Sequence, residues 1–198
     1  MRRLVTITLP CLFLMLVGCG TTPNPRFYAL TSAPAPPASS ASSSTMSVSV
    51  GPVTIPAAVD RPQIVLTVGP NRVRLEEFDR WAAPLQNDIA RAVAANLIAA
   101  LGTSRVMLAS APVAAIVDYR AIIEIQQFES TLGQAALLDA VWAVVRTKDG
   151  KSQTGRTTAR ESTSDGSFDA LAAAHSRALG RLSQDLANAL RELAGSGS

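Results

Sequence analysis

Apolar residues recur along this chain with two periods, and each marks a different kind of element. Leu85, Ile89, Val93, Leu97 and Leu101 return every four residues, with Ala92 and Ile98 widening the stripe. That spacing predicts an amphipathic helix, with Pro84 in its first turn, Gly102 as its stop, and Gln86, Asp88 and Arg91 off the stripe. A second helical stripe runs through Leu171, Ala178, Leu182, Ala189 and Leu193, with Leu179, Leu186 and Leu190 beside it. Ser164-Asp165-Gly166-Ser167 offers its N-cap, and the stripe serves either intrachain packing or contact between copies. Between the helices the period falls to two. Val117, Tyr119, Ala121, Ile123 and Ile125 alternate with Asp118, Arg120, Glu124 and Gln126, with Ile122 as the apolar exception. This predicts a long strand with one face on a core. Leu137 to Arg146 is apolar on both faces and reads as a strand that is central or covered on both sides, Asp149-Gly150 as a turn, and Arg156 to Thr163 as an exposed strand.

Upstream of the first helix, Val48, Val50 and Val53 mark a strand ended by Gly51-Pro52 or Pro56. Ile64 to Val68 and Asn71 to Glu77 form a hairpin turned by Gly69-Pro70-Asn71, and Arg105 to Leu108 is a short strand. The expected fold is α+β: a two-layer α/β sandwich in which a mostly antiparallel sheet is packed by two amphipathic helices.

The first residues follow neither period. Arg2 and Arg3 precede an almost wholly apolar run from Leu4 to Val17, the pattern of a secretory signal and too short for a membrane-spanning helix. Leu16-Val17-Gly18-Cys19 resembles the lipobox cut by the lipoprotein signal peptidase. Residues 1–18 are therefore expected to be removed, with a diacylglycerol and an N-acyl group attached to Cys19. Gly20 stands where an aspartate would resemble an inner-membrane retention signal, so attachment to the outer membrane, facing the periplasm, is expected. Cys11 leaves with the signal, so the mature chain retains no pair of thiols for a disulfide.

From Thr21 to Thr45 the chain is mostly Pro, Ala, Ser and Thr, and 19–45 reads as a lipidated start and tether. Arg26-Phe27-Tyr28-Ala29-Leu30 interrupts it, either as an edge strand docked on the domain or as a loose segment near the lipid. The folded domain is expected over 46–194, with a Gly-Ser tail at 195–198. Loss of Arg2 and Arg3 leaves 16 basic against 15 acidic side chains. No basic cluster points to nucleic acid.

Chemistry-bearing residues are sparse. His175 is the single histidine, and it lies near the second helical stripe as a satisfied, partly buried residue. No Gly-x-Ser-x-Gly elbow, phosphate loop or metal-ligand cluster is present in the sequence. Gly133, Gly150 and Gly155 read as turn residues. Asp118 and Glu124 share a strand face but stand roughly 20 Å apart, too far for paired-carboxylate catalysis. No enzymatic activity, cofactor or metal is expected.

The segment Val50-Gly51-Pro52-Val53-Thr54-Ile55-Pro56-Ala57-Ala58-Val59-Asp60-Arg61-Pro62-Gln63-Ile64 is distinctive. With Asn71-Arg72-Val73 and Phe78-Asp79-Arg80-Trp81-Ala82-Ala83-Pro84-Leu85, it resembles the PqiC family of ABC-type transport auxiliary lipoproteins. The resemblance implies an accessory lipoprotein of a system moving lipid between membranes. Its implied partners are a periplasm-spanning MCE-domain protein and its inner-membrane transport component, together with membrane lipid. A direct lipid carrier and a structural envelope lipoprotein are the alternatives, and a homo-oligomer suits a multivalent adaptor.

Two local readings stay open for each motif. Pro52, Pro56 and Pro62 stiffen the backbone around Asp60 and Arg61, which form either a buried corner or, with Gln63, a partner contact. Phe78 to Trp81 opens the first helix. Either Asp79 caps it while Phe78 and Trp81 close the core, or exposed Arg80 and Trp81 form a binding hot spot. Asn71 serves the turn, and Arg72 or Arg74 faces a partner or lipid headgroups.

Overall fold

The computed structural model describes residues 23–33 and 45–195. The signal segment, Cys19 and residues 196–198 of the tail lie outside the described residues. Among the described residues there are eight strands, two α-helices and one short 3-10 turn: β1 (Arg26–Tyr28), β2 (Val48–Thr54), β3 (Gln63–Gly69), β4 (Arg72–Trp81), α1 (Leu85–Leu101), β5 (Val106–Leu108), β6 (Tyr119–Thr131), β7 (Ala135–Arg146), β8 (Ser152–Ser162) and α2 (Phe168–Gly195), with the turn at Pro112–Ala115.

β6 is the spine of the sheet. Its even residues Arg120, Ile122 and Glu124 face outward while Ala121, Ile123 and Ile125 are buried, as the alternation predicts. On one edge β6 pairs antiparallel with β7 along its whole length, and β8 continues the ladder outward. On the other edge β2 runs parallel to the first half of β6, from Val48↔Tyr119 to Thr54↔Glu124. β3 meets the same edge further along, at Leu66↔Ser130. β2 and β3 are thus two stretches along one edge, and residues 55–62 leave it between them. β4 pairs antiparallel with β3, and β1 closes that side parallel to β4. β5 pairs parallel with β2. The sheet is mixed, and the antiparallel ladders are its long ones.

Both helices cover one face of the sheet, α2 over β6 to β8 and α1 over β2 and β5, and they pack on each other. Ser167 caps α2 through Ala170 N–H at 3.1 Å. Gly102 ends α1 in the left-handed region at φ 66°, its N–H bonded to Ile98 O. Leu171, Leu179, Leu182, Leu186 and Leu190 of α2 are fully buried, so its wide stripe is spent within the chain. Each such leucine contributes roughly 1.5–3 kcal/mol by removal from water.

Three expectations need correction. Phe78 to Trp81 end β4 and do not open the helix, which starts at Leu85 beyond Pro84. Trp81 N–H bonds Pro62 O and Ala82 N–H bonds Tyr28 O, so both sides of that segment find strand partners. Of the two readings of β7 the central strand holds: it lies between β6 and β8 and is covered on one face, with Leu138, Ala140 and Val144 buried and Val141 exposed. Gly155 lies within β8 and not at a turn. It pairs with Trp142, and a Cβ there would come 2.2 Å from the indole. Asp88, off the apolar stripe of α1, is nevertheless fully buried.

Candidate functional site: the β1–β4–β3 row and its proline corner

The Arg26 to Leu30 segment forms a docked strand, and buried polar groups hold it there. Asp79 is 4% exposed and accepts hydrogen bonds from Tyr28 Oη at 2.8 Å and from Arg26 at 2.9 Å. Burial and the Asp79 hydrogen bond push the Tyr28 hydroxyl up to about 12. Beyond Tyr28 the chain crosses the helical layer. Leu30 N–H donates to Asp88 Oδ2 at 2.9 Å, Thr31 N–H to Ser176 Oγ at 3.1 Å, and Ala33 N–H to Asn96 Oδ1 at 2.9 Å. Asn96 in turn donates to Ser183 Oγ. Gly180 of α2 makes room for this crossing, since a Cβ there would sit 2.7 Å from Ala33 Cβ. Asp88 and Asn96 are therefore buried because an extended segment has no strand ladder to satisfy its N–H groups.

The strand β1 places Phe27 opposite Arg80, and Gln63 of β3 lies opposite Arg80 on the other side. Phe27, Arg80 and Gln63 form one row across three strands. Phe27 is 62% exposed and Arg80 half-exposed. Glu77 to Asp79 bulge out of the β3 ladder, and Arg80 Nε bonds Glu77 O at 2.7 Å while Gln63 Nε2 reaches the Glu77 carboxylate. Such bulges re-aim side chains at functional edges.

At the end of the row, the proline corner is exposed. Asp60 and Arg61 are both exposed, with Arg61 N–H bonded to Val59 O. Neither side chain has a hydrogen bond or ion pair among the described residues. The buried-corner reading is thereby corrected. The hot-spot reading is corrected at Trp81, which is 5% exposed and packs edge-on against Phe128 and His175. Asp79 latches β1 and caps no helix. Arg72 lies apart from the others, at the hairpin tip eight residues up β4 from Arg80, roughly 26 Å at strand rise. The structure thus gathers Asp60, Arg61, Gln63 and Arg80 at one end and separates Arg72. Phe27 belongs to the gathered row. Its signal was an aromatic residue in a polar lead, but only docking of β1 shows which way it faces.

His175 is fully buried, deeper than the partly buried position expected. Its Nε2 lies 2.8 Å from Ser130 Oγ and its ring stacks on Phe128 at 3.9 Å. Nδ1 has no partner among the described residues. Desolvation lowers the imidazole to about 3. A neutral histidine sealed between Phe128 and Trp81 works as a core group. No cluster of three or more His, Cys, Asp or Glu that could hold a metal occurs among the described residues. No described helix is long and apolar enough to cross a membrane.

A sheet with both helices on one face, entered by a strapped N-terminal strand, defines a small α+β domain. The family of ABC-type transport auxiliary lipoprotein components matches over residues 28–187, and the chain belongs to it. Among solved structures, a Xanthomonas campestris protein is similar at 18% identity with a TM-score of 0.70, covering 87% of this chain and 99% of its own. A crystal structure of an uncharacterized protein is similar at 15% identity with a TM-score of 0.69, covering 85% and 99%. At these identities the likeness concerns the fold. No curated protein matches the chain.

Proposed function

We propose that this protein is an outer-membrane lipoprotein, anchored through Cys19 and facing the periplasm, that docks an MCE-domain partner and supports lipid transport between membranes. The observation that carries the reading is the row of exposed Phe27 and half-buried Arg80 and Gln63 beside exposed Asp60 and Arg61. Aromatic and arginine side chains at the centre of a polar rim are the residue types on which protein interfaces concentrate their energy. Arg61 and Asp60 answer no demand of the fold among the described residues, so their charge is available to a partner. The role is non-enzymatic: the auxiliary family supports it, and His175 is enclosed in the core.

Crosslinked envelopes containing the full protein test this reading, with captured proteins and lipids identified together. Recovery of an MCE-domain protein, lost with Arg61→Ala or Phe27→Ala while circular dichroism stays unchanged, supports it. Capture of such a protein at undiminished yield by both folded variants places the contact elsewhere. Stoichiometric lipid without such a protein overturns the adaptor reading in favour of a carrier.

A further inference from the structure

We propose that the tip of the β3–β4 hairpin is a second membrane contact, resting on the anionic surface of the same leaflet that holds Cys19. This rests on the reading of Cys19 as the lipid anchor. The long Ser-Ala stretch does not lie between lipid and domain. Leu30, Thr31 and Ala33 are already bonded to Asp88, Ser176 and Asn96, so residues 34–44 only join the strap to β2. The spacer is residues 20–25, which contain Pro23 and Pro25. Seven residue steps from Cys19 to Arg26 span about 25 Å at full extension.

The direction of that spacer follows from the sheet. β1 is parallel to β4 with Arg26 opposite Asp79, so the chain before Arg26 comes from the hairpin end. Arg72, where β4 begins, is also seven residues before Asp79, and roughly 23 Å away at strand rise. A seven-step spacer extended along that direction has the length needed to reach from Arg26 to a surface on which the hairpin tip rests.

The tip has the composition of a membrane-surface element. Val73 is 60% exposed and Leu75 38% exposed, large values for strand residues of this type. Val73 and Leu75 are paired with Thr67 and Val65, whereas Arg74 is paired with Leu66 and Arg72 with Gly69. Strand alternation thus places the aliphatic pair on one face and the two arginines on the other. Arg72 has no side-chain partner among the described residues, and Arg74 pairs only with Glu76 while remaining 59% exposed. An open cleft of about 550 Å³ lies beside the tip, bounded by Val68, Arg74, Thr131 and Gln134. Aliphatic side chains entering the headgroup boundary with arginines beside the phosphates is the arrangement of interfacial binding, and a single lipid attachment is strengthened by such a second signal.

The test uses the full protein, purified from membranes and reconstituted into vesicles of phosphatidylethanolamine and phosphatidylglycerol. Intact mass first establishes acylation of Cys19. Val73→Cys then carries an environment-sensitive fluorophore, with Thr154→Cys on β8 as the control. The expected result is quenching of the position 73 probe by spin-labelled lipid, with the position 154 probe unaffected. Arg72→Gln lowers the inserted-to-free ratio roughly fivefold on anionic vesicles, and added salt does the same. A bound, acylated protein whose position 73 stays in water overturns the hairpin contact and leaves the anchor standing. An unmodified Cys19 removes the anchor and the proposal together.

Discussion

Tyr28 donates its hydroxyl proton to the Asp79 carboxylate across 2.8 Å, joining residues 51 positions apart in a buried site. With Arg26 spanning both carboxylate oxygens, this contact turns a three-residue strand into part of the folded domain. Arg26 is exposed, so solvent screens its ion pair and the pair adds little. The buried hydroxyl matters more. Asp79→Ala is expected to destabilise by about 1–3 kcal/mol, the usual cost of an orphaned buried polar group. Asp79→Asn, which keeps an acceptor, is expected to lose less. Urea midpoints order the three proteins, and an equal loss for both variants would contradict the hydroxyl assignment.

The strap across the helices has its own signature. Asn96→Ala removes the acceptor for Ala33 N–H and the donor to Ser183. Amide exchange at Ala33 is expected to accelerate by at least about tenfold, corresponding to about 1.4 kcal/mol of local opening, with α1 and α2 otherwise protected. Unchanged exchange at Ala33 would mean that the strap is held elsewhere.

Gly155→Ala brings a methyl group into the Trp142 ring, which is itself fixed by a 3.0 Å hydrogen bond to Thr157. Overpacking of this kind costs about 1–3 kcal/mol. Gly150→Ala is the comparison: nothing lies within 4 Å of its Cβ, and its cost comes from a φ of 72°. Tryptophan fluorescence separates them, because only the change at 155 alters the packing of Trp142.

A pH dependence follows from His175. Its folded value, about 3, lies below the 6.5 of an exposed imidazole, so the unfolded chain binds a proton that the folded chain refuses. Stability is therefore highest above about pH 6.5 and falls as pH drops toward 3. The decline between pH 6.5 and 5 is expected to be about 1–2 kcal/mol. Hydrogen bonds from Ser47 and Arg156 hold Asp118 and Asp139 below the usual carboxylate range, and their loss belongs to lower pH. Since His175 is the single histidine, His175→Gln isolates the effect. A persistent slope between pH 6.5 and 5 in that variant would assign it to other groups.

Much of the architecture is legible in the sequence. The four-residue stripe from Leu85 to Leu101, the Gly102 stop and the alternation from Tyr119 to Ile125 each depend on neighbours within a few residues. Local periodicity is therefore sufficient to place them. Phe78 to Trp81 went the other way because strand and helix start compete locally, and the decision came from Tyr28 and Pro62, distant in sequence. Asp60, Arg61, Gln63 and Arg80 were visible as an unusual motif, while the exposure of the corner and burial of Trp81 were not.

The sequence by itself determined two helical faces, a strand-rich middle, a lipobox-like start and the family to which the motifs point. Only the tertiary structure decided where the lead runs. A polar residue such as Asp88 or Asn96 within an apolar helix carries no local sign of its partner. The partner is the backbone of Leu30 or Ala33, whose unpaired N–H groups must be satisfied once water is excluded. That requirement is met across the fold and not along the chain.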